Sequence, residues 1–137
     1  MIHHLGRDLR ELGEAQAARQ LHEDSLAAAR QTLGAEHPFT IYLANDLGRD
    51  LHALGQFDSA RQLQEDTLTR ARLVLGEENY YTIDVANTVA AALYAVGEAQ
   101  AARQLSADTF TRARRVFGEE HPHTLKAAGN LAAARPR

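Results

Sequence analysis

The chain has 137 residues, no cysteine and a formal net charge of −3 at pH 7. The lack of cysteine excludes disulfides and thiolate metal sites, and the mild acidity gives no electrostatic footprint for nucleic acid or an anionic membrane. No apolar run approaches the roughly 18 residues that span a bilayer. Since the amino terminus also lacks the basic and apolar regions of a signal peptide, we expect a cytoplasmic protein.

An internal repeat organises the whole chain. The nine residues Gly13–Leu21 recur letter for letter as Gly97–Leu105, and Gly55–Leu63 is a looser copy. The three copies are 42 residues apart, since 55 − 13 = 42 and 97 − 55 = 42. A second set of glycines keeps the same step: Gly34, Gly76 and Gly118. A fixed period of this size predicts stacked units, each covering the apolar face of its neighbour.

Each unit has the pattern of two helices, which we call helix A and helix B. Pro38 suits the first turn of a helix A, and Gly55 suits its end. Apolar residues recur at steps of three and four in between. Taken in chain order, the pattern predicts seven helices, at 1–12, 15–33, 38–54, 57–75, 80–96, 99–117 and 122–134.

The predicted fold is therefore an all-α, right-handed α-solenoid of about three and a half helix-turn-helix repeats. We expect a single domain, 1–137, with units at approximately 1–36, 37–78, 79–120 and 121–137. The first and last of these units are incomplete. We expect the chain to be a fragment of a longer array or a module within one.

One motif recurs where each unit begins. It reads Leu33-Gly-Ala-Glu-His-Pro-Phe-Thr40, followed by Asn45-Asp-Leu-Gly48. The helix pair resembles the tetratricopeptide repeat, and the 42-residue unit resembles its kinesin-light-chain type, which carries Leu-Gly-x-x-His-Pro-x-Thr and then Asn-x-Leu-Ala. The middle copy has Asn79-Tyr80 instead of His-Pro, and the last copy shifts the asparagine by one, to Asn130.

This resemblance implies a non-catalytic scaffold for protein–protein interaction, with a concave groove lined by helix A. The partner is then a protein or a peptide, and neither nucleic acid nor a membrane. Arginine and histidine on the exposed flank of helix A could hold carboxylates, and asparagines there could bond a peptide backbone. The candidate ligand-binding residues are Arg7, Arg10, Tyr42, Asn45, Arg49, His52, Asp84, Asn87, Tyr94 and Lys126.

The sequence offers no pattern for catalysis, a cofactor or a metal. His121 and His123 have a spacing that could chelate, and His3 and His4 are adjacent, but neither pair has a third ligand in a recognisable motif. His37 and His121 each precede a proline, which fits a helix entry. There is no glycine-rich phosphate loop and no serine in a nucleophile elbow. We therefore expect no enzyme activity, no cofactor and no metal site.

Two other functions stay open. The basic residues are almost all arginine, which indicates a high-GC bacterial source, and bacterial arrays of this repeat type resemble the sensor or regulatory segments of multidomain signalling ATPases and transcription regulators. The chain could also be a self-assembling structural repeat. Its terminal units leave apolar residues without a neighbour, namely Leu5, Leu9, Leu125 and Leu131. Such patches mark association sites, so a homo-oligomer through the exposed repeat ends is possible.

Overall fold

A computed structural model describes the backbone of residues 2–135 and the side chains of residues 13–135. Within these residues the chain forms six helices and no strand: α1 (Ile2–Thr32), α2 (Pro38–Ala53), α3 (Phe57–Val74), α4 (Tyr80–Ala95), α5 (Ala99–Phe117) and α6 (Pro122–Ala133). Each helix packs against the next one along the chain. The predicted all-α solenoid is confirmed.

The turns between helices lie at the predicted glycines. Gly55, after α2, has φ = 79°, and Gly97, after α4, has φ = 92°. This left-handed conformation is one that glycine adopts without the steric cost of a Cβ atom. The predicted helices from 38–54 onward therefore match α2 to α6, with every boundary within one residue.

The prediction of seven helices is wrong at the first turn. The segments predicted as 1–12 and 15–33 form one helix, α1, of 31 residues, and Gly13 lies inside it. A glycine permits a turn but does not impose one, because continuing the helix keeps backbone hydrogen bonds that a turn would break. At Gly55 and Gly97 the turn is held by the packing of the two helices that flank it.

The helix starts carry caps that repeat along the chain. The ring nitrogen of His37 accepts a hydrogen bond from the Phe39 backbone N–H at 3.1 Å, and His121 does the same for His123 at 3.0 Å. In the middle unit the carboxamide oxygen of Asn79 accepts from the Tyr81 N–H at 2.8 Å. The His-Pro pair is therefore a helix entry, as expected, and asparagine replaces it in the middle unit.

The core forms two clusters, one on each side of α3. The first contains Leu26, Ala44, Leu47, Leu51 and Ala60. The second contains Leu68, Val85, Ala86, Val89, Leu93, Ala102 and Ala134. A polar residue, Gln64, also packs between α2 and α3, where it is fully buried. Its side chain lies so close to Gly48 that a Cβ atom at that position would overlap it. This contact explains a glycine in the middle of α2.

In the part of the chain that the structure describes, no helix combines the length and the apolar character needed to cross a membrane. At the carboxyl-terminal side Leu125 is 58% exposed, and Leu131 is partly buried. The side chains of Leu5 and Leu9 lie outside the described residues. Association through the repeat ends stays a prediction.

Candidate functional site

The helices of the solenoid are closer together on one face than on the other. Cα atoms of α2 and α4, and of α4 and α6, approach within 8 Å, whereas among the described residues α1 does not approach α3, nor α3 α5. Helices α2, α4 and α6 are the A helices, so their shared face is concave. We call the surface between these three helices the groove.

Two hollows open on the groove. The larger has a volume of about 380 Å³, and its lining includes Asp46, Tyr81 and His123. The smaller has about 160 Å³ and lies beside His52, Thr88 and Ala91. Arg49 of α2 and Lys126 of α6 border both hollows. Two basic side chains therefore lie at the centre of the groove.

Beneath the groove, buried amides connect one unit to the next. Asn45 donates from its side chain to the Asp84 carboxylate at 2.8 Å and accepts from the Gln64 amide at 2.9 Å. One unit further on, the Asn87 side chain donates to the backbone oxygen of His123 at 3.0 Å. Asn130 in turn donates to the Asn87 backbone oxygen at 3.0 Å. These bonds satisfy polar groups that burial would otherwise penalise.

Arg49 is held at the floor of the groove by a buried carboxylate. Its guanidinium nitrogen lies 3.5 Å from the Asp84 carboxylate, which is itself buried. The arginine side chain nevertheless stays 54% exposed. Lys126 is exposed, and it makes no ion pair with any described side chain. Both cations can therefore reach a ligand.

Aromatic rings line the end of the groove where α4 and α6 begin. Tyr81 stacks on Tyr42, with ring centroids 4.0 Å apart. Tyr80 lies 4.3 Å from the ring of His123, and beyond it His121 stacks on Phe117 at 4.4 Å. Both tyrosines keep exposed surface. An apolar or aromatic ligand side chain could pack here.

Burial favours the neutral form of two histidines in the groove, His52 and His123. Burial lowers the pKa of His52 below the ordinary value of 6.5, and the nearby Lys126 lowers it further. Burial also lowers the pKa of His123, although Asp84 opposes this shift. Neither Nδ1 of His52 nor Nε2 of His123 has a hydrogen-bond partner. Both nitrogens are buried atoms, so the two rings contribute to the walls of the groove as neutral surface and not as accessible hydrogen-bonding groups.

The groove also contains a carboxylate that resists ionisation. Burial raises the pKa of Asp46 above 3.8, more than His22 and Arg49 lower it. Asp46 borders the larger hollow beside Arg49. The Asp46 carboxylate would repel an acidic group of a ligand. Such a group would therefore lie closer to Lys126 than to Asp46.

The structure brings together some of the predicted site residues and separates others. Arg49, His52 and Lys126 meet around the smaller hollow, and Tyr42 reaches the groove through its stack on Tyr81. Asn45, Asp84 and Asn87 are buried between the units, where Asn45 donates to the Asp84 carboxylate and Asn87 donates to the His123 backbone oxygen, so these side chains do not face a ligand. Tyr94 is exposed near the end of α4 and borders neither hollow. The side chains of Arg7 and Arg10 lie outside the described residues.

Sequence reasoning missed the contributions of Tyr80, Tyr81 and His123 to the groove. The signal was present in the middle unit, where Tyr80 replaces the proline of the His-Pro pair. A large aromatic residue at a helix start, where the other units have proline, indicates a surface role. Among residues 13–135 no group of three histidine or acidic side chains is placed to hold a metal ion.

Family models and solved structures both relate this chain to tetratricopeptide-type repeats. Two family models described as Tetratricopeptide repeat match residues 1–73 and 82–123. No curated protein matches the chain. A crystal structure of the nearly identical TPR-like repeats assigned to a kinesin light chain of Podosopora anserina is 29% identical, with a TM-score of 0.83. A single-substitution variant of that protein is also 29% identical, with a TM-score of 0.84.

The alignments cover 96% of this chain, but only 63% and 62% of those two solved chains. The similarity therefore extends over nearly the whole solenoid and not over the full length of its relatives. Repeats of this family generally mediate protein–protein interactions. The chain belongs to the tetratricopeptide repeat family, and its 42-residue units are of the kinesin-light-chain type.

Proposed function

We propose that the chain is a non-catalytic scaffold that binds a peptide segment of a partner protein in the groove. The observation that carries the proposal is the pair Arg49 and Lys126, which borders both hollows from opposite sides of α4. An acidic side chain of the peptide would lie between these two cations. Charge-assisted hydrogen bonds of this kind are among the stronger polar contacts.

The surroundings of the two cations define the rest of the ligand. On one side Tyr80 and Tyr81 offer ring surface with hydroxyl groups, which suits an apolar or aromatic side chain. On the other side the smaller hollow is lined by His52 and Ala91. The peptide we expect therefore carries an acidic residue beside an apolar one. Either an extended or a helical peptide can present that pair.

A matched pair of arginines tests this proposal. Arg49 and Arg115 are both exposed, at 54% and 65%, and both pair with a carboxylate, but only Arg49 borders the groove. The probe is a fluorescein-labelled peptide of alternating glutamate and tyrosine, with binding read by fluorescence polarisation. Arg49→Gln and Lys126→Gln should each weaken binding about tenfold or more, and Arg115→Gln should leave it unchanged.

Thermal unfolding of each variant shows whether the fold is kept. Equal losses of affinity in Arg49→Gln and Arg115→Gln would mean that the probe reads only the overall charge. Unchanged affinity in both groove variants, with binding by the parent chain intact, would move the site away from the groove.

A further inference from the structure

We propose that the groove binds a peptide that carries a basic residue as well as an acidic one, with the basic side chain beside Asp46 and the acidic side chain beside Lys126. This inference rests on the proposed function of the groove and adds a lysine or arginine to the expected ligand. Both side chains of the peptide would bind in the larger hollow, because Asp46 and Lys126 both line it.

Asp46 is the carboxylate of the groove that lacks a close cation. Among the described side chains its nearest basic nitrogen is Nε2 of His22, at 3.9 Å, which is too long for a hydrogen bond. The two neighbouring carboxylates are already engaged, Asp84 with the Asn45 amide at 2.8 Å and Asp50 with the His22 ring. The Asp46 side chain is 45% exposed. It is therefore open to a basic group of a ligand.

The surroundings of Asp46 favour a cation. Burial is the main cause that raises the pKa of Asp46, and the negative charges of Asp50 and Asp84 add to it. A positive charge placed beside Asp46 would offset this repulsion between carboxylates. Tyr80 and Tyr81 line the same hollow, and tyrosine rings attract cations through their faces. A lysine or arginine side chain of the peptide suits this position.

The charges at the two ends of the larger hollow are not required by the repeat. The equivalent of Asp46 in the next unit, 42 residues further on, is Thr88. The equivalent of Lys126 one unit earlier is Asp84, a residue of opposite charge. Packing of the helices therefore needs neither an acid at the first position nor a base at the second. A ligand that carries both charges gives each of them a role.

A peptide with only one kind of charge would fit the hollow less well. A second acidic side chain would meet Asp46, and a second basic side chain would meet Arg49 and Lys126. Like charges brought together at a binding site lower the affinity for the wrong partner. The hollow should therefore prefer a peptide of mixed charge to a purely acidic or a purely basic one.

Two fluorescein-labelled peptides that differ in a single residue test this inference. Both contain a tyrosine followed by a glutamate, and a spacer of two glycines then leads to lysine in the first peptide and to glutamine in the second. Each peptide is also made in the reverse order, so that both directions along the groove are covered. Binding to the full chain is read by fluorescence polarisation at low salt, where charge effects are least screened.

The lysine peptide should bind about three- to fivefold more tightly than the glutamine peptide in one of the two orders. Asp46→Asn should remove this difference. The matched control is Asp108→Asn, because Asp108 is 53% exposed, pairs with Arg112 and borders neither hollow. This control should keep the difference. Lys126→Gln should weaken the binding of both peptides by a similar factor, because it removes the partner of their shared glutamate.

Equal affinities of the two peptides for the parent chain, in both orders, would overturn the inference. A lysine preference that survives in Asp46→Asn would also overturn it, because the preference would then reflect only the overall negative charge of the chain. If the two affinities are equal and Lys126→Gln still weakens both, the proposed function stands and only the basic residue of the ligand is wrong. Absence of binding by every peptide would contradict both proposals.

Discussion

Gly13–Leu21 and Gly97–Leu105 have the same nine residues and different structures. The first copy is a continuous part of α1, and the second begins with a turn and then enters α5. Ala102 is buried under α4, whereas Ala18 is only half-buried. Since the local sequence is identical, the difference comes from what packs against each copy. The comparison shows that tertiary contacts, and not the glycine, decide whether this motif turns.

The largest difference should appear when the two alanines are enlarged. Ala102 is 1% exposed, so Ala102→Leu should overpack the contact with α4 and lower the free energy of unfolding by about 1–3 kcal/mol. Ala18→Leu has room and should cost clearly less. Urea denaturation followed by circular dichroism measures both. If Ala18→Leu costs as much as Ala102→Leu, the two alanines are equally tightly packed in solution and the comparison fails.

The two glycines should respond with opposite signs. Gly97 has φ = 92°, so Gly97→Ala should destabilise the protein by about 1–2 kcal/mol. Gly13 lies in a helix and a Cβ there meets nothing within 4 Å, so Gly13→Ala should stabilise by about 0.5–1 kcal/mol. Thermal melts of the two variants are the measurement. A loss of stability in Gly13→Ala would show that a turn at this position dominates.

The smallest difference concerns the two leucines. Leu105 packs against the second core cluster, so Leu105→Ala should cost about 1–2 kcal/mol. Leu21 is mostly exposed, and Leu21→Ala should change stability by no more than about 0.5 kcal/mol. Urea denaturation of the two variants in the same buffer gives the two losses of unfolding free energy, which can then be compared. Equal costs would contradict the exposure of Leu21 on α1.

The sequence predicted most of the fold because its signals are local and repeated. Proline at the helix starts, glycine at the ends and apolar steps of three and four gave α2 to α6 to within a residue. The turn at Gly13 could not be predicted in the same way. A turn at Gly13 would break backbone hydrogen bonds of the helix, and only packing between distant segments could compensate for that loss. The nine residues are the same in both copies, so they do not determine which of the two effects is larger.

The groove was predicted less completely than the fold. Periodicity placed Arg49, His52 and Lys126 on the exposed flank of helix A, and in the structure all three border the smaller hollow. It also placed Asn45 and Asn87 there, although both point into the seam between units. Steps of three and four residues define a broad helix face, so they do not separate the edge of a groove from its floor. The partner of Asn45, Gln64, is 19 residues away in sequence.

The buried amides beneath the groove have a mechanical consequence. Asn45 bonds to Asp84 across one unit boundary, and Asn130 bonds to the backbone of Asn87 across the next. Bending the solenoid at either boundary would stretch these bonds, and the bond between Asn45 and Asp84 is buried from water. The segment from α2 to α6 should therefore be rigid. A peptide that binds there would meet a groove whose width hardly changes.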